Sequence, residues 1–521
     1  MFTRRAVLGG LSLGFASGSL AGSNGRWLAP VPDLGYRFAS NRTRPAFTGV
    51  AAMPNSQYVV GRHVFYSPNY EQYNIRFVIP NFWTPQVAFA PFEVMGDAGR
   101  QILGFAFKIG STYHQATING RSNYTTGVGD PWIITDPHPV RWPANTPLST
   151  FTYDFCPVGI RRPVSYNPIQ AKYGDGWAQS PTDSLGEILH GGAIPTPAFG
   201  ATAPGPLCIV AQGAPTMQPV GLVLGDSLDA GANTNIANQV GSRANMGFWP
   251  IGLDDDTPGV GRIPFAMFAV GSTNFFSITR DQFTLRQRLL AALGYPFTFF
   301  ANGHGQNQIS GGGFKAVKAA ADTSWAYQRE FRRPDGSTFK NIIRTLQPLV
   351  QDVSNSKFSA IANQATKPLN TFPSGERYLY NDYARSLPPN VDACIDTSPA
   401  WTDLTFPDKF KALGRESRIK LAVSSGIVIM VSGAPPLVGD DIVIGADAAG
   451  AFVRNVGKVA PSGSDWIVEF SVGEAAISTE VIAGAIVRAT PTRDGIHMTG
   501  PVSADGAKPI IEAKAAGVFS L

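Results

Sequence analysis

The chain has 521 residues, 44% of them hydrophobic and 15% charged, with 56 Gly and 41 Pro. That length predicts two or three packed cores, and the apolar share excludes an intrinsically disordered chain. The formal charge of +5 includes Arg4 and Arg5 of a segment expected to be removed, and no basic block or stripe interleaved with aromatics points to nucleic acid.

Residues 1–21 open with the pair Arg4-Arg5, continue through a Gly-rich apolar stretch and end in small residues. They read as a twin-arginine-type signal peptide, which places the mature protein in a bacterial periplasm or outside the cell. Gly and Ser break the apolar stretch well short of the roughly 20 residues that a span needs, so no stable membrane span is expected after its removal.

From 30 to 215, short apolar or aromatic runs (57–60, 73–79, 102–109, 150–155) alternate with Gly, Pro, Asn and Asp, which predicts an all-β domain of sandwich or jelly-roll type. The texture changes at 218. Buried-strand runs at 220–224, 263–270 and 296–300 are joined by a helix over 281–293, whose Phe283, Leu289, Leu290 and Leu293 recur at helical spacing before Gly294. A further run at 341–346, a helix over 376–386 and a strand ending at Ala393-Cys394-Ile395 continue an α/β unit that reaches 412. Residues 413–488 alternate again and read as a β-rich insertion. The α/β unit then returns over 489–521, with a closing helix at 503–516.

A hydrolytic serine needs a base to take its proton, a carboxylate to hold that base in one tautomer, and donors aimed at the oxyanion. Leu224-Gly225-Asp226-Ser227-Leu228 sets a serine just past a buried strand, where the carboxyl edge of a parallel sheet opens on a crevice. The same residues also make a routine strand-to-helix turn with a polar cap. Asp494-Gly495-Ile496-His497 spaces a carboxylate and an imidazole so that Asp494 can meet one ring nitrogen while the other faces a serine. Gly303-His304-Gly305-Gln306-Asn307 follows the 296–300 strand and brings a side-chain amide to the same edge, on what reads as a Gly-rich loop.

In this order the islands resemble the SGNH, or GDSL, hydrolases, over about 218–410 and 490–521. The resemblance implies a flavodoxin-like three-layer α/β fold; the N-terminal β domain and the insertion lie outside it. It implies Ser227 as nucleophile, His497 as base and Asp494 as its orienting acid. The oxyanion hole it implies is made by the N–H groups of Ser227 and Gly271 and the amide of Asn307, with Asn302 a second candidate donor. His304 is a candidate pocket residue or loop filler. Two features depart from the family: Gln308 stands where an Asp usually fixes the third block, and a long insertion precedes Asp494.

No cofactor or metal is implied. Asp254-Asp255-Asp256 reads as a solvated loop, since a hard cation needs spaced oxygen ligands, and His63, His114, His138 and His190 lack ligand spacing. Cys156, Cys208 and Cys394 read as structural, with room for one disulfide that the spacing does not pair. The expectation is an exported serine esterase with a small-molecule or polysaccharide ester as substrate, first a carbohydrate O-acetylesterase. A broad carboxylesterase, lipase or thioesterase and a glycan-binding surface protein on a hydrolase fold are the other readings.

Overall fold

The computed structural model describes residues 35–520 apart from 41, 43–48, 53–54, 56, 86–92, 165–173, 195–202, 232–242, 244, 246, 353–357, 359, 361, 363, 368–373, 422–425, 439, 446–451, 472–473, 478–480, 482, 484 and 491–499. The expected signal peptide and the Asp494/His497 island therefore lie outside the described residues. None of the described helices is long and apolar enough to cross a membrane.

Strands Gln57–Tyr66, Gln101–Ile109, Thr112–Ala116, Pro147–Cys156 and Gly176–Ser180, with the short Tyr124–Thr125, form one antiparallel sheet of six. Arg37–Phe38, Cys208–Gln212, Tyr73–Pro80 and Trp132–Ile134 form a second antiparallel sheet of four. Side chains alternate across a strand, and Tyr73–Pro80 uses both of its faces. Ile75, Phe77 and Ile79 pack with Phe65, Ile102, Phe105 and Phe107 of the larger sheet. Val78 points the other way, joining Phe38, Val210, Leu285, Leu289 and Phe297 in a separate core. The smaller sheet is thus the middle layer between the larger sheet and the α/β unit.

That unit is built on five parallel strands, in the spatial order Phe265–Met267, Gly221–Leu224, Phe299–Asn302, Lys340–Arg344, Ala393–Ile395. Counted along the chain the order is 2-1-3-4-5, the doubly wound arrangement whose switch point lies beside the first strand. Leu222, Leu224, Phe300 and Ile343 face one side, toward helices Thr284–Ala292, Gln306–Gln328 and Glu376–Arg385. Val223, Phe299, Ala301 and Ile342 face the other, toward Phe248–Leu253 and Gly500–Ala515.

The insertion closes on itself. Strands Glu416–Ile419, Val428–Gly433, Asp465–Phe470, Phe452–Ser462, Asp441–Ile444 and Ile486–Thr490 pair antiparallel in that order around a closed barrel filled by Ile419, Ile429, Val431, Ile442, Val456, Val468 and Val487. Closure leaves no strand edge for another chain to pair with.

Two expectations need correction. The triple-Asp segment is not uniformly solvated: Asp254 is buried, accepts from Asn245 Nδ2 at 2.7 Å and pairs with Arg243 at 3.4 Å. Burial pushes its carboxyl up to about 7, against the pull of Arg243 and Arg262. The Gly303–Asn307 stretch is not all loop: Gly305 caps a helix that begins at Gln306, and Gly311-Gly312-Gly313 only kinks it, at Gly313 with φ 67°. The Glu376 carboxylate accepts from the Phe314 N–H just past that kink and caps the second segment. All three cysteines are free thiols.

The β-sandwich and the α/β unit are joined by a buried charge. Glu93 pairs with Arg286, both side chains 1% exposed, and accepts from the Leu285 and Arg286 N–H groups at the start of Thr284–Ala292. One carboxylate thereby caps the helix and neutralises its arginine. Glu93→Ala leaves Arg286 buried and unpaired, and should cost about 3–5 kcal/mol in urea unfolding; Glu93→Gln, which keeps an acceptor, should cost less.

Candidate active site

Ser227 sits half-buried on a turn directly after Gly221–Leu224. Asp226 shapes that turn: its Oδ1 accepts from Leu228 N at 2.9 Å and its carbonyl from Ala230 N at 3.0 Å. Among the described residues no helix starts at this turn, so Asp226 closes a turn and does not cap a helix.

Three loops at the carboxyl edge are bonded to one another. The Gly225 carbonyl accepts from Val270 N at 3.1 Å and lies 3.1 Å from Thr273 Oγ1. The Thr273 carbonyl in turn accepts from Asn307 Nδ2 at 2.8 Å, and Gly303 N donates to Leu224 O at 2.9 Å. The turn carrying Ser227, the turn carrying Gly271 and the helix start carrying Asn307 thus form one unit. Gly271 lies in a tight turn closed by Ser272 in the left-handed region, φ 62°. Its N–H makes no hydrogen bond among the described residues, which leaves it open to a ligand. Asn307 is on the first helical turn, where exposed N–H groups favour negative charge, and Nδ2 carries a second hydrogen beyond the one given to Thr273.

Asn302, the other candidate donor, is committed inside the fold: its Nδ2 donates to Asn341 Oδ1 at 2.6 Å and to Gln328 Oε1 at 2.8 Å. Gln308 Oε1 accepts from Phe275 N at 3.0 Å and ties the helix to the segment that follows the Gly271 turn. Asp494 and His497 lie outside the described residues.

The unit rests on a buried ion pair that the sequence reading did not single out. Asp229 and Arg344 are both fully buried and bonded twice, Nε to Oδ1 and Nη2 to Oδ2, each at 3.1 Å. Arg344 also donates to the carbonyls of Gly303 at 3.0 Å and Thr345 at 3.1 Å. Burial works against its charge, but the Asp229 carboxylate outweighs burial and holds the guanidinium above its ordinary range. Gly225 and Gly303 make room for the pair: a Cβ on either would stand 2.2 Å and 1.9 Å from Asp229 Oδ2. The only sequence signal is that pair of glycines at matching strand ends.

His304 lies beneath these turns, 2% exposed, with Nε2 at 3.3 Å from Thr273 Oγ1 and 3.4 Å from Ser277 Oγ. Thr273 Oγ1 donates to Val270 O and Ser277 Oγ to Asn274 O, both at 2.7 Å, so each hydroxyl offers the ring an oxygen lone pair. The proton therefore sits on Nε2, and Nδ1 keeps a bare lone pair.

A scan against protein-family models returns no match, and a search of curated proteins returns none. Among solved structures the chain is similar to a family two carbohydrate esterase from Clostridium thermocellum in complex with cellohexaose, at 10% identity over 68% of this chain and 88% of that one, TM-score 0.22. It is also similar to a carbohydrate esterase family 2 enzyme plus carbohydrate binding domain from Corynascus thermopiles (Myceliophthora fergusii), at 11% identity over 69% and 89%, TM-score 0.24. Scores this low carry no argument about the site, and its reading rests on its own geometry.

Burial, with the charges of Arg286 and Arg344, lowers the His304 imidazole to about 3. The unfolded chain, with an ordinary imidazole near pH 6.5, binds a proton in that interval that the folded chain refuses. The stabilisation is complete above about pH 6.5 and is lost as pH falls toward 3. Comparing urea unfolding at pH 7 and about 4.5, His304→Gln should abolish a drop on the order of 2 kcal/mol that the wild type shows.

Proposed function

We propose that this chain is an exported serine esterase in which Ser227 attacks an ester carbonyl. The observation that carries the reading is the bonded unit at the switch point of the parallel sheet: a serine on the crest of the first-strand turn, the open N–H of Gly271 beside it, and the Asn307 amide tied to the same loop. A nucleophile with donors fixed around it on rigid strand and helix ends is what acyl transfer needs, because the donors must meet the oxyanion without reorganising.

In the full mechanism His497, held in one tautomer by Asp494, takes the Ser227 proton as its oxygen forms the bond to the carbonyl carbon. The tetrahedral anion is met by the N–H groups of Ser227 and Gly271 and by Asn307 Nδ2. Collapse expels the alcohol, which receives the proton from His497, and water deacylates the enzyme by the same route. The substrate of this reading is an O-acetylated carbohydrate, supported by the expected export and by the sandwich packed against the catalytic unit.

Hydrolysis of p-nitrophenyl acetate should depend on Ser227. Ser227→Ala should lose all release above background, and wild-type-like release would sink the esterase reading. Asn307→Ala should lower kcat by about 10²–10³ with KM little changed, because its second hydrogen acts on the oxyanion and not on the ground-state ester. Acetylated xylan should be preferred over octanoyl esters; the reverse preference would move the substrate class to lipids.

A further inference from the structure

On the face of the six-stranded sheet turned away from the sandwich core lies an open cleft of about 300 Å³, crossed by Gln57–Tyr66, Pro147–Cys156, Gln101–Ile109 and Thr112–Ala116. The pairing register explains which side chains meet there. Val64 stands opposite Ser149, Ser149 opposite Lys108, and Lys108 opposite Tyr113, so one row runs across four strands. Arg62 and Tyr66 lie two residues to either side of Val64 and therefore share its face.

The polar heads of this cleft are not used by the fold. The Arg62 and Lys108 side chains make no hydrogen bond or ion pair among the described residues, and Arg62 Nε is buried without an acceptor. No carboxylate lines the cleft among those residues. The nearest, Asp175, acts on Arg62 through space, but it is held by a buried pair with Arg42, and its Oδ1 accepts from Val64 N at 3.0 Å. Two cations therefore face one opening with no anion committed to them. A buried donor left unmet inside a fold is costly, so this arrangement makes sense where an external acceptor completes it.

The rest of the lining narrows the acceptor's chemistry. Tyr66 and Tyr113 bring ring faces and unbonded hydroxyls, and Ser149 brings a further hydroxyl. Both rings are held in place, Tyr66 beneath the Arg243 guanidinium at 5.0 Å and Tyr113 beneath Lys108 Nζ at 5.0 Å. Fixed rings suit the apolar face of a pyranose, the hydroxyls suit its hydroxyls, and paired cations suit a carboxylate carried on it.

We propose that this cleft binds a carboxylate-bearing saccharide, a uronic acid residue of an acidic glycan, with Arg62 and Lys108 receiving the carboxylate and Tyr66 and Tyr113 flanking the ring. That the ligand is a sugar rests on the glycan-esterase reading; that it is an anion rests on the cleft alone. None of Ser227, Gly271 and Asn307 lines the cleft, so it holds chain rather than cleaves it.

The test is calorimetric titration of the full chain with oligogalacturonate at low salt, with xylo-oligosaccharide and citrate as controls. Oligogalacturonate should bind, and Arg62→Met and Lys108→Met should each weaken binding by about tenfold, the size of one charge-assisted hydrogen bond. Arg62→Met should not lower Tm, since it removes an unmet buried donor, and Lys108→Met should lower it only slightly, giving up the ring contact to Tyr113. Ser227→Ala should bind as the wild type does, so a failure of the esterase reading leaves this result unchanged. The proposal falls if the Arg62→Met/Lys108→Met double variant binds like wild type, or if xylo-oligosaccharide binds as tightly. It also falls if citrate alone matches the oligosaccharide, or if Ser227→Ala abolishes binding.

Discussion

The carboxyl edge of the parallel sheet depends on the two-pronged bond between Asp229 and Arg344, residues 115 apart in sequence and both fully removed from solvent. Arg344 ends the fourth strand of the parallel sheet; Asp229 closes the turn after the first, and Gly303, whose carbonyl Arg344 also takes, follows the third. One planar guanidinium thus sets the mutual positions of three strand ends, and a fork donating two parallel bonds fixes angle as well as distance. Its desolvation makes it a poor source of net stability. What it supplies is placement of the turns that carry Ser227 and Asn307, and the small residues Gly225 and Gly303 are the condition for its fitting there.

A second constraint joins the two halves of the molecule. Because Tyr73–Pro80 and Cys208–Gln212 bury side chains on both faces, the four-stranded sheet belongs to two cores at once. Glu93 reinforces this by capping a helix of the α/β unit from outside it. The sandwich is therefore not a module on a linker. Whatever its outer face holds is presented at a fixed distance and orientation from Ser227.

Much of this was legible in sequence wherever a local pattern carries the information. The runs at 57–60, 73–79, 102–109 and 150–155 all lie on strands, and the helix expected at 376–386 is Glu376–Arg385. The helix bearing Asn307 was not legible, because Gly303 and Gly305 made its start read as a Gly-rich loop; the tertiary cap from Glu376, sixty-two residues beyond Phe314, is what lets a helix resume after Gly313. Arg344 looked like one charge in an apolar run, and nothing local ties it to Asp229. Barrel closure was equally hidden, since alternation within 413–488 specifies strands but not which of them meet. Asp494 and His497 fall outside the described residues, so their place in the site stays an inference from the resemblance.

The two sites that emerge are electrostatic opposites, and the contrast bears on what each does. Around the Ser227 turn both cations are answered, Arg344 by Asp229 and Arg286 by Glu93, His304 is kept neutral by burial, and the buried Asp226 adds a further carboxylate. What is left there to donate to an anion is dipolar, the Gly271 N–H, the Asn307 amide and a helix start. Fixed dipoles without a free cation bind a neutral ester weakly and a developing oxyanion strongly, which is the differential that accelerates a reaction. The outer cleft has the reverse arrangement, two uncompensated cations and no acid among its described lining. A full positive charge there favours an anion that is already formed, and so favours holding over turnover.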